Sequence, residues 1–327
     1  MIPSSHHMSQ LSDVFNHFHR LRLLVVGDLI LDHYIWGEVR RISPEAPVPV
    51  INVLRHEYRI GGAGNVAANL ASLGCQAVIA GFCGDDSAAA TLTDLYKQAD
   101  IESLISTIPT YPTTIKSRVI AQHQQLLRID EEKNNVITTD QRIELLERIR
   151  SQADRFDGMI LSDYAKGTFD EPFLQALITL FHDRVTTVDP KGHHYERYRG
   201  ATVIKPNFGE FRAAVHCPDL TKQLIPGAAR KMVQELQLRG LLVTLGEDGV
   251  FLLDENNDTC IIPTQAREVY DVSGAGDTFT AAFTAALKLT GNWRLAAQAG
   301  NLAAGIVVGK LGTATVSTAE ILAVCSQ

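Results

Sequence analysis

Leu11, Val14, Phe15 and Phe18 recur at helical spacing, which predicts an amphipathic helix over residues about 10–20. The next apolar run, Leu23-Leu24-Val25-Val26, is short and unbroken and closes on Gly27-Asp28. That is the pattern of a strand covered on both faces of a parallel sheet. The unit returns along the chain. Ala77-Val78-Ile79-Ala80-Gly81 precedes a helical stretch near 86–99, and Gly158-Met159-Ile160-Leu161-Ser162-Asp163 follows another at 139–155. Thr138-x-x-Gln141 at the start of the latter matches a capping box. Val185–Asp189, Thr202–Ile204 and Leu241–Thr244 add further strands. Strands alternating with helices of this length predict a doubly wound α/β fold with a mainly parallel sheet. Several strands end on Asp28, Asp163, Asp189, Asn207 or Gly246. Such residues suit turns, but five in register also point to a cleft beyond the carboxyl ends of the strands, where open parallel sheets bind ligands.

Two segments break the rhythm. Residues 47–60 and 112–130 are rich in β-branched residues without intervening helices, and Thr114, Lys116, Arg118 and Ile120 alternate, placing both cations on one face of a strand. A small antiparallel β lid is expected from about 33–60 and 110–130, within one domain spanning 1–327. Residues 1–9, with Ser4-Ser5-His6-His7-Met8, are expected to be disordered or tag-derived.

Composition narrows the classes. The chain has 327 residues, 45% of them hydrophobic and 20% charged, enough to bury a core without disulfides or a structural metal. Five Cys, an odd number with no Cys-x-x-Cys pair, fit a reduced compartment, and no apolar stretch approaches a membrane span. The N-terminus lacks the charged and apolar regions of a secretory signal, so a cytoplasmic protein is expected. A net charge of −7 argues against a nucleic-acid partner. The histidine pairs, His17 with His19 and His193 with His194, lack the spacing and the Cys partners of a metal site.

Two glycine clusters carry the chemistry. Asp271-Val272-Ser273-Gly274-Ala275-Gly276-Asp277 leads into an apolar helical stretch, which puts Gly274, Ala275 and Gly276 at a helix N-terminus. Unpaired N–H groups and the positive end of the helix dipole make that an anion site, where Asp277 is placed to accept a proton from an attacking hydroxyl. A Gly-x-Gly-Asp helix start is also an ordinary cap. The other cluster, Gly61-Gly62-Ala63-Gly64-Asn65, continues through Ala67 to Asn69. Gly62-x-Gly64-x-x-Ala67, with Asp85 and Asp86 about 20 residues on, formally meets a dinucleotide fingerprint. An NAD(P)-linked oxidoreductase is therefore an alternative from another class. Against it, Asn65 and Asn69 share one helix face, which suits a polyhydroxylated ligand. No phosphate-binding GxxxxGK[ST] loop occurs.

The pair of motifs, GGAGN early and DVSGAGD late, resembles the two signatures of the ribokinase (PfkB-type) carbohydrate kinases, over residues from about 22 to 320. Gly27–Asp32, Arg41–Val50, Ser162–Gly167, Val188–Gly192 and Gly309–Ser317 are more specific. Together they are similar to the heptose-7-phosphate kinases, including the kinase half of bifunctional heptose kinase/adenylyltransferases. The resemblance implies a ribokinase-like fold and an ATP- and Mg²⁺-dependent kinase, with a monovalent cation such as K⁺ as an option. The substrate implied is D-glycero-β-D-manno-heptose 7-phosphate, phosphorylated on its C1 hydroxyl for lipopolysaccharide core synthesis. With the chain ending at Gln327, the adenylyltransferase is expected on a separate chain or a removed domain.

The resemblance also implies roles. Asp277 is the catalytic base, and Gly274, Ala275 and Gly276 form the anion hole. Asn207-Phe208-Gly209-Glu210 is the Asn-x-x-Glu element that bears on Mg²⁺ and the nucleotide phosphates, with Glu210 as the metal candidate; the same residues also read as a helix N-cap followed by an acid. Gly246 and Asn301 fall on the nucleotide side. Asp32, Gly62 and Asn65 hold sugar hydroxyls, and Asp163 and Lys166 join the substrate side. Val272-Ser273 replaces the family's commoner Thr-Thr. A 7-phosphate needs a second anion site; of Arg40, Arg41, Lys116, Arg118, Lys166 and Lys191, the pair Lys116 and Arg118 on one strand face is the best clamp. A kinase of another sugar, or a sugar sensor on the same fold, are the remaining alternatives. A homodimer through the open edges of the lid is expected.

Overall fold

The structure is a computed structural model that describes residues 5–122, 124–133, 137–264, 270–310 and 312–326. The chain opens with α1 (Ser5–Asn16), a short turn of helix and β1 (Arg22–Gly27). Two long strands follow, β2 (Leu29–Ile42) and β3 (Pro49–Gly62), and then α2 (Ala63–Ser72), β4 (Gln76–Cys83), α3 (Ser87–Gln98) and β5 (Glu102–Thr107). β6 (Thr114–Ala121) and β7 (Gln124–Glu131) come next, followed by α4 (Thr139–Arg150), β8 (Gly158–Ser162), α5 (Glu171–Leu180) and β9 (Val185–Asp189). β10 (Val203–Ile204), α6 (Phe208–Ala214), α7 (Ile225–Leu236) and β11 (Gly240–Thr244) complete the parallel part. The hairpin β12 (Val250–Leu253) and β13 (Thr259–Ile262) precedes α8 (Ala275–Thr290), α9 (Trp293–Val307) and α10 (Thr318–Cys325).

Nine strands form one sheet in the order β13-β12-β11-β10-β9-β8-β1-β4-β5, parallel except for the two antiparallel pairings at the β12–β13 edge. Alternation along β1 shows why both sheet faces are apolar. Leu23 and Val25 enter one buried cluster with α2, α8 and α9, while Leu24 and Val26 enter another with α4, α5 and α7. The uninterrupted apolar run is thus divided between two cores, the doubly wound arrangement expected. Thr138 caps α4 with the reciprocal Gln141 bond that the spacing predicts.

α1 covers residues 5–16 rather than about 10–20, and Leu11, Val14, Phe15 and Phe18 are buried as the spacing predicts. Residues 5–9, expected to lie outside the folded part, belong to this helix; residues 1–4 lie outside the described residues. Likewise the helix foreseen over 139–155 ends at Arg150, and a separate turn carries Ala153–Arg155.

The lid is a four-stranded sheet in the order β3-β2-β6-β7. Its two hairpins, β2–β3 and β6–β7, are antiparallel, and a parallel β2–β6 pairing joins them. That pairing is parallel because the chain returns to the lid only after crossing α2, β4, α3 and β5. The register places Asp32 opposite both Arg59 and Lys116, with Lys116 opposite Asp130. Tyr34 stands opposite Glu57 and Arg118 on the same face, two residues further along. A Cβ on Gly312 would crowd Arg59 Nη1 and Tyr34 Oη, so this polar face packs against the backbone at Gly312.

Candidate active site

The strands β11, β10, β9, β8 and β1 are neighbours, so the residues at their carboxyl ends meet along one edge. Asp28, after β1, accepts N–H bonds from Tyr164 (2.8 Å), Lys166 (3.1 Å) and Thr168 (3.1 Å). It thereby folds the loop after β8 back over the sheet edge. Burial and the neighbouring Asp163 charge push the Asp28 carboxyl above the usual carboxylate range.

Gly274 (φ +79°) caps α8 in the left-handed region, and a Cβ there would lie 2.8 Å from Asn65 Nδ2. Asp277, in the first turn, is buried. Its Oδ2 accepts from Asn65 Nδ2 at 2.7 Å and its Oδ1 from the Tyr164 hydroxyl at 2.8 Å. Asn65 is held in turn by Asn69, whose Nδ2 donates to the Asn65 carbonyl at 2.8 Å, while Thr278 Oγ1 donates to Asn69 Oδ1 at 2.9 Å. The two glycine clusters of the sequence therefore pack against each other. Burial, then the Asp189 charge, push the Asp277 carboxyl up to about 6, with Asn65, Tyr164 and Lys205 pulling the other way. Burial, then Asp277, hold the Tyr164 phenol well above its ordinary range, so it stays a donor. The arrangement is a buried proton acceptor beside a helix N-terminus.

Of the residues expected on the substrate side, Asp32 is buried on β2 and paired with Arg118 Nη1. Gly61 gives it room, since a Cβ there would lie 2.6 Å from Asp32 Oδ2. Gly62 (φ +56°) turns the chain from β3 into α2. Lys116 and Arg118 do share a half-buried face, but each already has a carboxylate: Lys116 Nζ is 3.2 Å from Asp130 and Arg118 is paired with Asp32. Lys166 Nζ meets Glu132 Oε2 at 2.7 Å. Asp163 accepts from the Tyr198 hydroxyl at 2.6 Å and the Ala165 N–H at 2.8 Å, so each of its oxygens already has a protein partner.

Of the residues expected on the nucleotide side, Asn207 and Glu210 form a full capping box around Phe208 and Gly209 at the start of α6. Glu210 Oε1 also pairs with Lys191 Nζ at 2.9 Å. Gly246 (φ +63°) follows β11 with open space where a side chain would stand. Asn301, on α9, donates to the Pro263 carbonyl at 2.7 Å. Among the described residues no group of three or more His, Cys, Asp or Glu converges on a metal position. Glu210 lies in the first turn of α6, and a donor set of one or two carboxylates completed by phosphate oxygens and water is the usual magnesium environment at a nucleotide.

The dinucleotide fingerprint does not survive the fold. Gly62-x-Gly64 follows the lid strand β3 instead of a strand of the main sheet, and a Cβ on Gly64 would strike Ile60 and the Tyr96 ring. Gly64 is there for packing. Asp86, its would-be ribose partner, caps α3 and holds the Thr113 N–H. Tyr164, Lys205 and Thr280 enter the site without having been singled out. Asp189 is marked in the sequence as a strand end and as part of the Val188–Gly192 segment. For Tyr164, Lys205 and Asp189 the signal is a polar residue at or just past the end of an apolar strand; Thr280 lies inside α8 and carries no such mark.

Comparison with known proteins gives a consistent result. The profile described as pfkB family carbohydrate kinase matches residues 20–320. A protein of Hahella chejuensis named Bifunctional protein HldE is 45% identical over 307 residues, 93% of this chain and 63% of that protein. Its namesake in Geotalea uraniireducens is 41% identical over 318 residues, 96% of this chain and 65% of its own length. The chain thus spans less than two-thirds of the length of these relatives. Among solved structures, Arabidopsis thaliana ribokinase complexed with ribose and ATP superposes with a TM-score of 0.74 at 20% identity, covering 94% of this chain and 99% of that one. Escherichia coli phosphofructokinase-2 in complex with potassium gives 0.77 at 19% identity, covering 94% and 100%. At such identities the likeness shows the ribokinase-like fold.

Proposed function

From the membership of this chain in the PfkB family of carbohydrate kinases, we propose that it transfers the terminal phosphoryl group of ATP to the C1 hydroxyl of D-glycero-β-D-manno-heptose 7-phosphate. The observation that carries the reading is Asp277: a buried carboxylate at the open start of α8, held on both oxygens by Asn65 and Tyr164. Phosphoryl transfer asks for positioning and charge stabilisation more than covalent help. Gly274, Ala275 and Gly276 offer backbone N–H groups to the group in transfer. Asp277 takes the hydroxyl proton. Asp32 and Gly62 border the sugar, while Asn65 serves through Asp277.

Magnesium, when bound with the nucleotide, neutralises phosphate charge; Glu210 is the carboxylate placed to bear on it, by releasing Lys191. A monovalent cation such as K⁺ belongs to the same proposal, with loss of turnover in K⁺-free buffer as its test. Asn207, Gly246 and Asn301 line the nucleotide side. The distal phosphate falls to Lys116 and Arg118, whose acid partners make that face a set of exchangeable ion pairs, with Lys166 beside them. Relatives named as bifunctional and longer than this chain support an adenylyltransferase on a separate chain or a further domain.

Val53, Leu54, Tyr58, Leu127 and Ile129 are exposed on the lid, and we assign them to a homodimer contact. Sedimentation as a monomer at working concentration would overturn that assignment. No described helix is long and apolar enough to cross a membrane, which agrees with a cytoplasmic enzyme.

The test is ATP-to-ADP turnover with heptose 7-phosphate, fructose 6-phosphate, ribose and no sugar, for wild type and Asp277→Asn. Turnover confined to the heptose phosphate and lost in the variant supports substrate and base together. Turnover with another sugar replaces the substrate and keeps the chemistry.

A further inference from the structure

Lys205 follows β10 and is 4% exposed, yet it lies beside the N-terminus of α8. Its ammonium is 3.0 Å from Asp189 Oδ2, and a Cβ on Gly276 would stand only 3.5 Å from it. A cation at the positive end of a helix is electrostatically misplaced unless an anion is meant to come between them. Among the described residues Asp189 is its only direct ion-pair partner, although its charge also reaches Asp277, and Asp189 is shared with Thr280 Oγ1 at 3.3 Å. An ammonium has three donors, and the direction not occupied by Asp189 is bounded by a glycine that adds no side chain.

We propose that Lys205 is a direct contact of the phosphoryl group in transfer, its ammonium donating to a non-bridging oxygen opposite the N–H groups of Gly274–Gly276. This rests on the phosphotransfer reading above and adds a residue to it. In the step, the sugar oxygen forms its bond to phosphorus as the bond to the bridging oxygen of ATP breaks. The hydroxyl proton passes to Asp277, and the electron pair of the broken bond leaves with ADP. Lys205 remains protonated throughout, supplying charge where the transferring group is most exposed. Asp189 is then a holding partner that keeps the buried ammonium ionised and aimed before the nucleotide arrives.

The alternative is a structural ion pair that neutralises Asp189, and a double variant separates the two. Lys205→Met leaves the half-buried Asp189 without a counter-charge, so misfolding is controlled by Asp189→Asn/Lys205→Met, which removes the pair as a whole. The expected result is a fall in kcat of about 10²–10³-fold in both variants, as for loss of one preorganised donor. Melting shifts with ATP–Mg²⁺ are retained, while the extra shift that ADP with aluminium fluoride gives wild type is lost. A double variant with kcat restored to within threefold of wild type, or an undiminished aluminium fluoride shift, overturns the proposal. Wild-type turnover is the reference in every arm. If wild type is active and Lys205→Met matches it, the Lys205 assignment alone falls; if wild type turns over no sugar, the kinase reading falls with it.

Discussion

The Asn65 amide donates to Asp277 Oδ2 at 2.7 Å across 212 residues of sequence, and the bond joins the early glycine cluster to the late one. A residue expected to hold sugar hydroxyls therefore serves first to orient the Asp277 carboxylate. Tyr164 completes the clamp from the loop that Asp28 folds over the sheet edge.

Removing the acceptor should abolish turnover while leaving the nucleotide side intact. Asp277→Asn is expected to lower kcat by about 10³-fold, within the range typical of a general base, with the ATP–Mg²⁺ melting shift kept. Steady-state kinetics alongside thermal melts check this. A variant within tenfold of wild type assigns the proton elsewhere.

The same carboxyl sets a pH dependence of opposite sign for activity and stability. Its value is raised from 3.8 to about 6. The kcat/KM profile should therefore fall as pH drops through about 6, where the acceptor becomes protonated. For stability, a raised value in the folded state contributes most at low pH, below about 4, and that contribution is lost as pH rises through about 6. At pH 8 the buried ionised group costs on the order of 2–3 kcal/mol. Asn at this position still accepts from Asn65 and can donate to the Tyr164 oxygen. Asp277→Asn should thus melt above wild type at pH 8, and its advantage should shrink toward pH 4. An advantage independent of pH would contradict the assignment.

Gly274→Ala tests the cradle. Both the positive φ and a Cβ 2.8 Å from Asn65 Nδ2 oppose a side chain there. The variant should lose about 1–3 kcal/mol of stability and about tenfold or more in kcat, because Asn65 must move off Asp277. Urea melts and kinetics read the two effects. Thr138→Ala is the control: it removes the α4 capping box, costs about 1 kcal/mol and should leave kcat unchanged.

Arg118→Ala and Lys116→Ala should raise KM for a phosphorylated sugar about tenfold or more, as expected for loss of a charge-assisted contact, with KM for ATP unaltered. An equal effect on an unphosphorylated sugar would show that the lid cations act only through Asp32 and Asp130.

The sequence by itself determined the main sheet and its carboxyl edge. Short apolar runs closed by Asp28, Asp163, Asp189, Asn207 and Gly246 can be buried on both faces in only one way, and each strand end followed from local pattern. It also determined that the Gly274–Asp277 stretch opens a helix, because Gly and Asp report local backbone geometry. Direction and partnership were not local. That Asp163 serves Tyr198, that Glu210 closes a capping box while pairing with Lys191, and that Gly64 packs on Tyr96 depend on which segments meet. Lys116 and Arg118 were placed on one face by their alternation, but only the lid register supplied Asp130 and Asp32 as partners. Lys205 looked like any strand-end lysine until the crossover of the sheet brought α8 over it. Periodicity is carried by neighbours in the chain, whereas burial and charge pairing arise between residues that only the folded topology brings within a few ångströms.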